Sequence, residues 1–112
     1  MGSTPVIRTA DFEKEVLQAE GLVLVDFFAP WCPPCQRLEP ELEKVQAELG
    51  DKIKIVKLDV DQDEPLSLVY NVQKIPNMTF FRDGKVLDQY IGLLPKRDIL
   101  KRIEALAEPA IS

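Results

Sequence analysis

The sequence predicts a mixed α/β fold in which helices cover a central sheet. Short apolar runs rich in valine, isoleucine and phenylalanine alternate along the chain with segments whose apolar residues recur every three or four positions. The longest apolar run, at 22–28, does not alternate with polar residues, which is typical of a strand buried on both faces. The order is strand, helix, strand, helix, strand, helix, strand, strand, helix, and this order favours a mixed sheet with helices packed on it.

The predicted elements follow one another without a long linker. We expect strands at 4–8, 22–28, 52–58, 78–81 and 86–91, and helices at 9–19, 34–49, 61–70 and 93–106. Thr9 is the expected N-cap of the first helix, and Pro95 lies at the start of the last one, where proline is tolerated. Asp83-Gly84 is a strong turn signal that joins the last two strands as a hairpin.

Length and charge limit the classes of function. A chain of 112 residues suits one domain, with a core at about 6–107 and flexible ends at 1–5 and 108–112. Its 14 basic and 19 acidic residues give a net charge of -5, whereas a nucleic-acid partner calls for a basic face. The longest apolar run is too short to cross a bilayer, so neither nucleic acid nor a membrane is an expected partner.

Two cysteines without any histidine fall short of the four ligands of a structural zinc site, so no metal is expected within one chain. The lack of histidine also leaves carboxylates, thiols, lysine and water as the groups that can move protons.

The pair Cys32 and Cys35 is the most informative motif. It lies between the buried strand and a helix, and two intervening residues let the sulfurs meet in a disulfide when the second cysteine is in the first helical turn. Cys32 is then close to the helix N-terminus, where the dipole stabilises a thiolate, and is the expected nucleophile. Cys35, one turn further in, is the expected resolving thiol. The alternative, two incidental core cysteines, is disfavoured by this context.

Pro33 and Pro34 separate the two cysteines. Each proline lacks an N–H, and each restricts the residue before it to extended geometry. We therefore expect Cys32 and Pro33 to be non-helical, with the helix starting at Pro34. The partners left for the Cys32 sulfur are the N–H and the thiol of Cys35.

Three further positions carry candidate chemistry. Asp26 lies inside an apolar strand, where burial would raise its pKa and suit it to proton transfer; the alternative is an aspartate that reaches water. Lys57, on the neighbouring strand, either pairs with Asp26 across the sheet or is simply exposed. Trp31, beside Cys32, is a surface platform, a half-buried packing residue, or both.

The bond between Ile75 and Pro76 precedes a strand, which is a poor place for proline unless the loop has a special conformation. A cis peptide is the candidate, although the trans form is commoner in general.

In order along the chain, several motifs resemble the thioredoxin family. They are 25–35 (VDFFAPWCPPC), 57–61 (KLDVD), Ile75-Pro76, 81–85 (FRDGK) and Gly92. The resemblance runs from about residue 6 to residue 106, and the combined motifs are highly specific. It implies the thioredoxin fold, a central mixed sheet of about five strands flanked by four helices.

The resemblance also implies roles for the redox residues. Cys32 would attack a substrate disulfide and Cys35 would resolve the mixed disulfide. Asp26 would assist proton transfer to and from Cys35, and Lys57 would modulate Asp26.

A docking surface is implied as well. Pro76 would be cis, so that the backbone of Ile75 pairs with the substrate chain beside Cys32. Trp31, Ile75 and Gly92 would line a shallow apolar surface.

Partners and cofactors are also implied by the resemblance. A thioredoxin reductase that uses a flavin and NADPH would return the pair to the dithiol, and disulfide-containing proteins would be the substrates. The chain itself would bind no cofactor, and we expect a cytoplasmic monomer.

The sequence departs from the family pattern at four places. Pro33-Pro34 replaces the usual Gly-Pro, at a position that sets the redox potential in the family. Phe28, Gln36 and Asn77 stand where tryptophan, lysine and threonine are common. The reaction class is unaffected, but we expect Pro33 to shift the potential.

The function predicted from the sequence is therefore that of a thiol-disulfide oxidoreductase, a protein-disulfide reductase that works through a mixed disulfide. One alternative is a disulfide oxidant or isomerase tuned by Pro33-Pro34, and the potential discriminates it. Another is a non-catalytic binding module that holds a partner around Trp31 and Ile75. A metal site shared between two chains is a third and would carry bound metal on purification.

Overall fold

The computed structural model describes residues 4–107 and contains a five-stranded mixed sheet. The strands are β1 (Val6–Ile7), β2 (Leu22–Phe28), β3 (Lys54–Asp59), β4 (Asn77–Arg82) and β5 (Lys85–Ile91). Their order across the sheet is β1-β3-β2-β4-β5. β3 is parallel to β1 and to β2, whereas β4 is antiparallel to β2 and to β5. The predicted fold class is confirmed, and the predicted tail at 108–112 lies outside the described residues.

Four helices flank the sheet. They are α1 (Thr9–Phe12), which continues as a π-helical segment (Glu13–Leu17), α2 (Pro33–Leu49), α3 (Glu64–Val69) and α4 (Lys96–Ala105). A short 3-10 segment, Gly50–Lys52, follows α2. The nine elements occur in the predicted order, with bounds that differ by a few residues. Within residues 4–107 we find no helix with both the length and the apolar character needed to cross a bilayer.

The start of the first helix differs from the prediction. Arg8, not Thr9, occupies the N-cap position, and the helical segment ends at Leu17 rather than Ala19. The physical reason is that Thr9 is bound by a carboxylate far away in the sequence. Asp63 accepts hydrogen bonds from the Thr9 N–H (3.1 Å) and from Thr9 Oγ1 (2.7 Å), so Thr9 turns its side chain away from a local cap.

The core has two layers, one on each face of the sheet. On one face Leu24 packs with residues of α2 and α4, such as Leu38 and Ile99. On the other face Val25 and Phe27 pack with residues of α1 and α3. The predicted burial of β2 on both faces is thus confirmed. A one-residue shift of β2 would exchange the side chains between the layers, so its register is strongly specified. This fixes the point at which the chain leaves the sheet toward the two cysteines.

Candidate active site

The two cysteines lie at the N-terminus of α2, shortly after the end of β2. Cys32 is the N-cap of α2 with extended backbone angles (φ -89°, ψ 111°), and Cys35 lies in the first turn. The two residues form a disulfide with Cα atoms 5.2 Å apart. Both side chains are buried, and the Cys35 N–H donates to Cys32 Sγ at 3.3 Å. The predicted backbone partner of the Cys32 sulfur is therefore in place.

The expectation that Pro33 is non-helical is wrong. The helix begins at Pro33, because the Cys32 carbonyl already accepts the N–H of Gln36 at 3.0 Å. Pro33 and Pro34 thus fill the first two helical positions, where an N–H would have no intrahelical acceptor and the fixed φ of proline suits the helix. Only Cys32 remains extended, as predicted.

Asp26 is completely buried in the middle of β2. Among the residues that the structure describes, neither carboxyl oxygen of Asp26 has a hydrogen-bond partner. Burial raises the pKa of Asp26 well above its ordinary value, the positive charge of Lys57 opposes this, and the negative charge of Glu39 adds to it. The predicted burial is confirmed, and the alternative of an aspartate that reaches water is wrong.

Lys57 was predicted either to pair with Asp26 or to be exposed, and the structure shows a third arrangement. It is opposite Asp26 in the register of β2 and β3, but its ammonium is 2.9 Å from Glu39 Oε1. The same ammonium lies 4.2 Å from the centre of the Phe28 ring. With only 15% of its side chain exposed, Lys57 is not a simple surface lysine either. A neutral, buried Asp26 attracts a cation weakly, whereas Glu39 can keep its charge.

Glu39 is the residue that reasoning from the sequence missed. It lies on α2 one turn after Cys35, and its Oε2 accepts the Thr4 N–H at 2.9 Å. Burial would raise the pKa of Glu39, but the hydrogen bonds from Thr4 and Lys57, with the charge of Lys57, lower it instead. The spacing of four residues from Cys35 placed Glu39 on the same helix face, and this was the available signal.

The predicted docking residues have different relations to the disulfide. Trp31 is 66% exposed, and its indole N–H donates to Asp61 Oδ2 at 2.7 Å. Trp31 and Ile75 line one crevice, and Ile75 also packs against the cysteine pair. The Ile75-Pro76 peptide is cis, as the family resemblance implied.

Gly92 is joined to this surface through the backbone. Its N–H donates to the Pro76 carbonyl at 2.8 Å. With φ at +118°, Gly92 has a conformation that residues with a side chain rarely adopt.

Two of the departures from the family pattern have partners inside the chain. Gln36 donates from its side-chain amide to the Pro30 carbonyl at 2.7 Å and so braces the loop before Cys32. Asn77 is fully buried, and its Oδ1 accepts the hydroxyl of Thr79 at 2.8 Å.

Comparison with known proteins settles the family. The family model described as Thioredoxin matches residues 3–105. The chain belongs to the thioredoxin family. This agrees with the five-stranded mixed sheet and with the cysteine pair at the N-terminus of α2.

Several thioredoxins of bacteria are similar over most of their length. The thioredoxin of Bacillus subtilis is 41% identical over 91 residues, which cover 81% of this chain and 88% of that protein. The thioredoxin of Rhodospirillum rubrum is 39% identical over 99 residues, covering 88% of this chain and 95% of that protein. For the thioredoxin of Listeria monocytogenes the identity is 43% over 93 residues, with 83% and 88% covered.

Family and site together give the reaction class. Thioredoxins act through a redox-active cysteine pair, and the Cys32–Cys35 disulfide is present here. The chain is a thiol-disulfide oxidoreductase with protein-disulfide reductase activity.

Proposed function

We propose that Cys32 is the nucleophile and Cys35 the resolving thiol in the reduction of protein disulfides. The Cys32 thiolate attacks one sulfur of the substrate disulfide, and the other sulfur leaves as a thiolate. The Cys35 thiolate then attacks Cys32 Sγ, and the second substrate sulfur leaves. Two electrons pass from the dithiol to the substrate. The observation that carries this assignment is the N-cap position of Cys32, where the helix dipole favours a thiolate.

Asp26 is proposed to exchange a proton with Cys35. The chain has no histidine to do this, and a carboxyl whose pKa is raised by burial can give or take a proton nearer to neutral pH. Lys57 modulates Asp26 through its charge, which lowers the pKa of that carboxyl.

The docking surface is proposed to consist of Trp31, Ile75, Pro76 and Gly92. Its support is the packing of Ile75 against the cysteine pair, the hydrogen bond from Gly92 to Pro76 and the large exposed fraction of Trp31. Aromatic side chains that combine exposure with a polar edge are favoured at protein interfaces.

The partners proposed for the chain are disulfide-containing proteins and a thioredoxin reductase that draws on a flavin and NADPH. The chain itself needs no bound cofactor in this scheme, because the cysteine pair carries the two electrons. We propose that it works as a monomer in the cytoplasm, where thiols are kept reduced.

Trapping the intermediate tests the roles of the cysteines. The variant Cys35→Ser keeps the nucleophile but cannot resolve the mixed disulfide. Incubated with an oxidised protein substrate, it should form a covalent complex that survives non-reducing electrophoresis and disappears with dithiothreitol. The matched variant Cys32→Ser should form much less complex. Equal trapping by both variants, or a complex that resists reductant, would contradict the assignment.

The equilibrium potential against a glutathione buffer tests the direction of electron flow. A value near about -270 mV supports a reductant, whereas about -180 to -120 mV would indicate an isomerase or oxidant.

A further inference from the structure

Glu39 is a third charged residue near the buried carboxyl, and the proposed function gives it no part. It extends from α2, one turn after Cys35. Its two carboxylate oxygens are engaged separately: Oε1 is 2.9 Å from the Lys57 ammonium, and Oε2 accepts the Thr4 N–H. With 21% of its side chain exposed, Glu39 is held between the interior and the solvent.

A crevice connects this ion pair with the redox pair. Its volume is about 280 Å³, and Cys35, Glu39 and Lys57 are among the residues that line it. The Lys57 ammonium lies on this side, over the Phe28 ring. The Lys57 ammonium therefore lies against the side of the crevice that is formed by Glu39, although Lys57 is opposite Asp26 in the strand register.

Strand register and charge identify neighbours of Asp26 on β3, α2 and β4. β3 contributes Lys57, α2 contributes Glu39, and β4 contributes the uncharged Met78, the cross-strand neighbour of Asp26. Glu43 is on the next turn of α2, and the neighbouring carboxyl of Glu39 raises the pKa of Glu43. Cys35, also on α2, adds a thiol when the disulfide is open.

We propose that Glu39 is a positioning residue: its ion pair holds the Lys57 ammonium on the crevice side, and Asp26 therefore keeps its proton in the disulfide form. Without Glu39, Lys57 is free to move to the unpartnered Asp26 oxygens and to stabilise the ionised carboxyl. The direct charge of Glu39 acts in the same direction, because it raises the pKa of Asp26 while Lys57 lowers it.

The inference rests on the proposed role of Asp26 for its catalytic consequence. A dithiol reductant attacks Cys32 Sγ, a new S–S bond forms, and the electron pair of the Cys32–Cys35 bond goes to Cys35 as a thiolate. The Asp26 proton then moves to the Cys35 sulfur and leaves an Asp26 carboxylate. Subsequent attack by the second thiol of the reductant releases Cys32 and completes the two-electron reduction. Asp26 can donate in this way only while it holds its proton.

The variant Glu39→Gln in the oxidised protein tests the positioning role. Titration of the Asp26 side-chain carbon by ¹³C NMR should move to lower pH. Glu48→Gln is the matched control, because Glu48 lies on the same helix and pairs with Lys96 instead. The control should titrate like the wild type. An unmoved Asp26 titration in Glu39→Gln would overturn the proposal.

A second comparison asks whether Glu39 acts through Lys57. In a Lys57→Met background the ammonium is absent, so adding Glu39→Gln should shift the Asp26 titration less than half as far. An equal shift in both backgrounds would overturn the positioning role and leave only the direct effect of the Glu39 charge.

The rate of reduction by dithiothreitol separates this proposal from the proposed function. The ratio of the Glu39→Gln rate to the Glu48→Gln rate should fall as the pH rises through the range in which Asp26 of the Glu39→Gln variant titrates. If the Asp26 titration moves and this ratio stays constant, the positioning by Glu39 stands and the proton-transfer role of Asp26 fails.

Discussion

Asp26, Lys57 and Glu39 illustrate at the level of single residues which properties follow from the sequence. An aspartate within an apolar run was enough to predict burial and a raised pKa, because the neighbours along a strand determine both. The partner of Lys57 could not be predicted in the same way. It depends on how α2 lies across β3, and this brings Glu39 within 2.9 Å of Lys57 from 18 positions away in the chain. The residue pattern of a single strand cannot predict a contact between residues that are distant in the sequence.

The raised pKa of Asp26 has a consequence for stability. The folded state holds the Asp26 proton at pH values where the unfolded chain has already lost it. The contribution of the Asp26 proton to stability is therefore full below the unfolded pKa of about 3.9, and it falls as the pH rises toward the folded pKa. Asparagine cannot ionise, so Asp26→Asn should be more stable than the wild type at pH 8, by about 1.4 kcal/mol for each pKa unit between the unfolded and the folded carboxyl.

Urea unfolding at pH 4 and pH 8 measures this difference. The advantage of Asp26→Asn should shrink at pH 4, where the folded carboxyl is protonated and the unfolded one is about half protonated. A difference that is the same at both pH values would rule out ionisation of Asp26 as the cause.

At the scale of elements, the sequence predicted the five strands and the four α-helices of the described residues, but neither the 3-10 segment Gly50–Lys52 nor the contacts that hold the elements in place. Periodicity and turn residues were sufficient for the order of elements, because these signals are local. The true anchor of the first helix is Asp63, 54 positions from Thr9, so the local capping preference of Thr9 was misleading. Likewise, the start of α2 at Pro33 follows from a carbonyl acceptor in Cys32 that local proline rules do not include.

Removing this anchor should weaken the whole fold. Asp63 is buried and accepts hydrogen bonds from Thr9 and from Arg8 Nε at 2.9 Å, so Asp63→Ala leaves several donors without a partner. We expect a loss of about 1 to 3 kcal/mol at pH 7. Glu20→Ala, at an exposed position, is the control and should change little.

The effect of Asp63→Ala on the free energy of unfolding should depend on pH. Burial would raise the pKa of Asp63, but the hydrogen bonds from Thr9 and Arg8 lower it below its ordinary value. The contribution of Asp63 is therefore present above the unfolded pKa and is lost as the pH falls through the folded pKa. Urea unfolding should show the gap to the wild type closing below about pH 4; a gap that widens in acid would contradict this account.

The first residue of α2, Pro33, affects how readily the disulfide opens. Replacing Pro33 with glycine gives the opened dithiol more backbone freedom, by about 0.4 to 1 kcal/mol. We therefore expect the potential of Pro33→Gly to be less negative by about 10 to 20 mV. Equilibration with a glutathione buffer measures this, and an unchanged potential would exclude Pro33 as a tuning residue.

At the scale of the whole molecule, the disulfide and the fold are thermodynamically linked. The bond closes a loop of only four residues in the unfolded chain, for which loop entropy amounts to about 2 kcal/mol. Reduction should thus lower the free energy of unfolding by about 2 kcal/mol. Urea unfolding with and without reductant measures the change, and a variant with serine at both positions should be indifferent to reductant. A reduced protein that is the more stable form would contradict this expectation.

At this scale, the strand order β1-β3-β2-β4-β5 could not be predicted from the periodicity of apolar residues. The non-alternating run at 22–28 predicted that β2 is central, because both of its faces had to be covered. Which strands lie beside it depends on contacts between distant segments, such as the pairing of Val25 with Val56 and Thr79. The family resemblance pointed to the fold that contains these contacts.

The position of Trp31 gives the molecule an optical property. Trp31 is the only tryptophan in the chain, it directly precedes Cys32, and its indole is tied to Asp61. We therefore expect opening and closing of the bond to change the intrinsic fluorescence of the unlabelled protein. A change in emission during turnover would then report on the redox state from the surface on which a substrate is proposed to dock.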